Sequence, residues 1–138
     1  MSLLEGFEPI RRIKGIPTVT ISKDGVAFTT AVLEKLGKPS YVVPMIDRAG
    51  QRFAIVASEH ETDDTRPFYK EGRKSSYGIR WSDRDLRSTL AEMMGWDVNI
   101  YGYRVEGTYD FDENAFIFDL KRAKPYGKGA AGEGEEQI

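Results

Sequence analysis

One short pattern occurs twice in this chain and narrows what it can fold into. Gly25-Val26-Ala27-Phe28-Thr29 and Gly78-Ile79-Arg80-Trp81-Ser82 both read glycine, β-branched residue, variable residue, aromatic, hydroxyl. An amphipathic helical run follows each and closes on a glycine, Gly37 or Gly95. Two β-type runs joined by a turn come next, with Phe53-Ala54-Ile55-Val56 answered by Ala115-Phe116-Ile117-Phe118. A strand–helix–hairpin unit of this size cannot bury its apolar face alone, whereas two units face to face share one core. The same order of elements also arises by chance in α+β domains. The expected fold is α+β: two β-α-β-β units, about residues 18–58 and 77–121, packed as a pseudo-symmetric, mostly antiparallel sheet or half-barrel with two helices. Residues 1–124 make one domain, and 59–76 link the units.

The local chemistry fills in the elements. Thr18–Ser22 is β-branched and alternating, and Lys23-Asp24-Gly25 turns it into Val26–Phe28. Thr29 and Thr30 are candidate N-caps for a helix over Ala31–Leu36, whose Val32, Leu33 and Leu36 share a face. Tyr41–Ile46 and Gln51–Ser58 form a hairpin, and Pro44 assigns its strand to an edge or a bulge. In the second unit, Tyr77–Trp81 is a strand, and Ser82 with Asp85 resembles a capping box for a helix over Asp83–Met94. Asn99–Asp110 and Ala115–Leu120 form the second hairpin, with a bulge expected at Gly107. Residues 125–138 are Gly-, Ala- and Glu-rich and are expected to be disordered. Met1–Ile16 reads as an extended arm, and its first part, Met1–Ile10, carries Glu5 and Glu8 and no basic region of the secretory kind.

Composition removes several functions. There is no cysteine, so no disulfide, thiolate nucleophile or Cys-ligated zinc is available. A single histidine, His60, rules out a multi-histidine metal site within one chain. No apolar run approaches the ~20 residues of a membrane span, and a cytoplasmic location fits. The net charge is −2, and without residues 125–138 acids and bases balance, so any electrostatic partner surface is a local patch.

Two constellations carry chemistry. Glu59-His60-Glu61 with Asp63 and Asp64 has the residue types of a divalent-cation or acid–base cluster, set against a solvated polar loop. Arg66, Lys70, Arg73, Lys74, Arg80, Arg84 and Arg87 interleave with Phe68, Tyr69, Tyr77 and Trp81. Cations beside aromatics suit phosphates and unstacked bases. The plainer reading pairs these cations with Glu71, Asp83 and Asp85. Gly102, Gly107 and the glycines of the tail lack the strand–loop–helix setting of a phosphate cradle. Trp81, Trp96 and the hairpin tyrosines suit packing. No residue is assigned a catalytic, cofactor-binding or metal-binding role.

Residues 18–58 resemble AbrB-type swapped-hairpin transcription factors. Val19, Ile21, Leu33, Leu36, Gly37, Tyr41–Ile46, Gly50 and Phe53–Val56 carry the resemblance, while Thr29 and Ser40–Tyr41 stand where that family has a proline and a Gly-Asp pair. The resemblance implies a single-chain pseudo-dimer of such units. It also implies DNA binding through arginines on strand faces and loops, with no base-reading residue transferred. The leading expectation is a non-enzymatic binding protein acting as a regulatory DNA-binding module. The alternatives are a structural module whose partner is a protein or another copy of the chain, and a small-molecule enzyme using His60 and its carboxylates.

Overall fold

The computed structural model describes residues 3, 5–7, 15–72 and 78–126. Strand β1 (Thr18–Ser22) and strand β2 (Gly25–Phe28) close a hairpin on Lys23-Asp24, and α1 (Thr30–Leu36) leads to the hairpin of β3 (Tyr41–Asp47) and β4 (Arg52–Ser58). The second half comprises β5 (Arg66–Pro67), β6 (Ile79–Trp81), α2 (Arg84–Met94), and the hairpin of β7 (Gly102–Asp110) and β8 (Ala115–Asp119). A 3-10 turn at Leu120–Arg122 then feeds β9 (Lys124–Tyr126). All pairings are antiparallel and run β5-β3-β4-β8-β7-β1-β2-β6, with β9 alongside β7. The result is the α+β half-barrel the sequence indicates, with two α-helices among the described residues.

The order of strands has an internal symmetry. Exchange β1 with β5, β2 with β6, β3 with β7 and β4 with β8. Every pairing on the path then falls on another, except β1–β2, because β5 and β6 do not pair. The pairs β4–β8 and β2–β6 map onto themselves. Each half also lends its first strand to the other half's hairpin: β1 pairs with β7, and β5 with β3.

Two glycines let the halves meet at the self-paired β2–β6 seam. Gly25 has φ +129, and a Cβ there would lie 2.1 Å from the carbonyl oxygen of Trp81. Gly78 has φ +73, and a Cβ there would lie 2.3 Å from the carbonyl oxygen of Phe28. Phe28 and Trp81 hold the same place in the repeated pattern, so each glycine abuts the other half's aromatic. Both the positive φ and the close approach require glycine.

The interior is aromatic. Phe28 lies 4.9 Å from Trp81 edge to face, and Phe53, Phe116 and Phe118 stack at about 5.9 Å between ring centroids. Val32, Leu33 and Leu36 of α1 and Leu90 of α2 close the core. Each such side chain contributes roughly 1.5–3 kcal/mol on leaving water. Alternation along the strands sends Val19, Ile21, Val26, Phe53 and Ile55 inward, which is the two-residue period legible in the sequence.

Several local readings change. Thr29 is the N-cap of α1, but its hydroxyl makes no cap bond; it accepts from the Thr18 N–H at 3.1 Å and donates to the Ile16 carbonyl at 3.2 Å. The cap of α2 is Asp83, not Ser82, and its carboxylate accepts from the Leu86 N–H at 3.0 Å. Gly107 marks no bulge; it lies in the ladder opposite Phe118, and a Cβ there would meet the rings of Phe118 and Phe116. The linking segment carries β5 and buries Phe68, whose N–H donates to the Ser40 carbonyl at 2.8 Å; the Tyr69 N–H donates to Pro39 at 2.9 Å. Strand continues to Tyr126, two residues into the segment expected to be disordered, and residues 127–138 lie outside the described residues.

Candidate nucleic-acid interface

The basic stretch divides into three environments. Arg66 is half-buried, and its Nε donates to the Asp83 carboxylate at 3.1 Å, bracing the start of α2 from β5. Partial burial pushes the Asp83 carboxyl up, but the Leu86 N–H and the Arg66 guanidinium outweigh it and hold the group below the usual aspartate range. Arg87 donates to the Lys23 carbonyl and so ties α2 to the β1–β2 turn. Lys70, Arg80 and Arg84 are exposed. Arg73 and Lys74, with Tyr77, lie outside the described residues. The described aromatics of the stretch have other partners. Phe68 and Trp81 are core residues, and the Tyr69 ring takes the Lys38 ammonium at 5.6 Å.

Arg80 has companions that the linear sequence does not place beside it. It lies opposite Ala27, Ala27 opposite Thr20, Thr20 opposite Arg104, and Arg104 opposite Lys124. These five positions form one row across β6, β2, β1, β7 and β9. Their neighbours along the strands, such as Ile79, Val26, Ile21 and Val105, point into the core, so the row lies on the outer face. Arg80, Arg104 and Lys124 are exposed, and no ion pair among the described residues holds them. The Arg104 guanidinium rests over the Tyr126 ring at 4.4 Å, which fixes its plane without neutralising it. Arg84 adds a fourth exposed cation where β6 passes into α2. Only the strand register sets Arg104 and Lys124 beside Arg80, so the linear sequence does not mark them as part of the row.

The acidic loop assembles no centre. His60 is exposed; its N–H donates to the Ser58 hydroxyl at 3.3 Å, and that hydroxyl donates to the His60 carbonyl at 2.9 Å. Among the described residues, no cluster of three or more histidine or carboxylate side chains is placed to hold a metal ion. No helix of the described residues is long and apolar enough to cross a membrane.

No family model, no curated protein and no solved structure matches this chain.

Proposed function

We propose that the protein is a non-enzymatic, cytoplasmic regulatory module that binds double-stranded DNA through the outer face of β6, β2, β1, β7 and β9. The row Arg80–Ala27–Thr20–Arg104–Lys124 carries this reading. Neighbouring strands lie about 4.8 Å apart, so the Arg80 and Arg104 backbones are on the order of 14 Å apart, with Lys124 one strand further on. Ala27 and Thr20 are short, and a phosphate backbone can approach the sheet between the cations. Guanidinium groups contact phosphate by paired N–H donors, and such contacts position a duplex without reading its bases. The exchanged first strands support kinship with AbrB-type factors, with one polypeptide supplying what two supply there. The test is fluorescence anisotropy of a labelled duplex over a salt series. Four phosphate contacts give a slope of log affinity against log salt of about −3.6. Absence of binding at low salt overturns the proposal.

A further inference from the structure

A second face of the sheet is organised differently. On β3, β4 and β8, the residues alternating with buried Val42, Phe53, Ile55, Phe116 and Phe118 point outward. Two adjacent outer rows are wholly apolar across these strands: Val43–Val56–Ala115, in which the small Ala115 is itself buried at 4% exposure, and Met45–Ala54–Ile117. Met45 is 54% exposed and lies within this contiguous apolar strip.

The two ends of this face carry opposite charge. Past the Met45 row lie Asp47, Arg52 and Asp119, with Arg52 bonded to Asp47 at 2.7 Å and Lys121 to Asp119 at 2.9 Å. These pairs cancel, which leaves exposed Arg48 and Arg122 as the surplus at that end. Past the Val43 row the strands reach Glu59 and Glu61 after β4 and Asp112 and Glu113 before β8, all exposed. The Ala57 N–H donates to the Asn114 carbonyl at 3.0 Å and holds these two acidic segments together.

We propose that this face docks a second copy of the chain about a two-fold axis lying across the strands. That rotation lays the Met45 row of one copy on the Val43 row of the other. Met45 then meets Val43, Val56 meets Ala54, and Ile117 meets Ala115, so larger side chains fall over smaller ones. The same rotation sets the Arg48–Arg122 end against the Glu59–Glu113 end at both edges. An isologous interface needs this self-complementarity. A partner of single charge sign would match only one end. The apolar strip is smaller than the ~800 Å² per partner of a standard interface, so the charged ends supply much of the attraction and the dimer is reversible. The interface uses none of the DNA-facing row, and the proposal stands apart from the DNA reading.

Sedimentation velocity of the full chain over a concentration series tests it. The wild type shifts from monomer to dimer with increasing concentration, and the dissociation constant rises about tenfold or more from low to high salt. Ile117→Lys stays monomeric, with unchanged circular dichroism confirming that it folds. Arg122→Glu and Glu113→Lys, which the rotation sets against each other at the two ends of β8, each weaken self-association, and an equimolar mixture of the two regains a dimer, because both edges then pair opposite charges. A wild type that remains monomeric throughout, as it would if the face served an unrelated protein, overturns the proposal. So does an Ile117→Lys variant that dimerises like the wild type.

Discussion

A methyl group added at Gly25 or Gly78 must displace the backbone carbonyl of the other half's aromatic. Gly25→Ala and Gly78→Ala should each cost about 3 kcal/mol, from the positive φ together with the clash. Gly72→Ala, at φ +90 with nothing within 4 Å, should cost about 1 kcal/mol. Urea unfolding midpoints measure all three, and equal losses would remove the reciprocal contact as the reason for glycine. Asp83 provides a pH test. Its folded-state value is lowered, so its contribution is complete above the ordinary carboxylate range, about pH 4, and is lost as pH falls through the lower folded value. Asp83→Asn keeps a capping oxygen but removes the charge. The gap between wild type and variant should be under about 1 kcal/mol at pH 7 and should close as pH falls through the lowered folded-state value. The hydroxyls of Thr29 and Ser82 show the limit of local reading. Their types suit caps, yet the backbone sends the Thr29 oxygen to Thr18 and gives the α2 cap to Asp83.

Between β5 and β6, side chains do what a ladder does elsewhere. The Trp81 indole N–H donates to the Pro67 carbonyl at 2.9 Å, Arg66 pairs with Asp83, and Phe68, next to β5, packs 6.2 Å from Trp81. Trp81→Phe keeps the ring and loses the hydrogen bond, at about 1 kcal/mol. Hydrogen exchange should then quicken at the Phe68 and Tyr69 amides before it changes in β4 or β8. Uniform quickening would mean that the seam is no weaker than the rest. Elements were legible wherever period and punctuation agreed: Gly37 and Gly95 end both helices in the left-handed region, and both long hairpins fall where the alternation sets them. Partners across strands were not legible. Nothing near Arg104 in sequence reveals that Thr20 and Ala27 separate it from Arg80, since register is fixed by which faces are buried across the whole sheet. Two of the row's three cations therefore stay hidden in the sequence, while Arg66 and Arg87, conspicuous there, are occupied by Asp83 and the Lys23 carbonyl.

At the scale of the molecule, the two halves share a frame and differ in what they present. The self-paired β2–β6 side carries the cations, and the self-paired β4–β8 side carries the apolar strip with its charged ends. A near-neutral body can hold both because the charges are segregated by strand face and end rather than summed. The most direct test compares duplex affinity at low salt for the wild type, Arg80→Glu/Arg104→Glu, and Arg48→Glu as a cation far from the row. The double variant should bind at least a hundredfold more weakly with an unchanged melting temperature, and Arg48→Glu should bind within a few-fold of the wild type. Equal weakening by both variants, or none by the double variant, would contradict the assignment of the DNA face to the Arg80–Lys124 row.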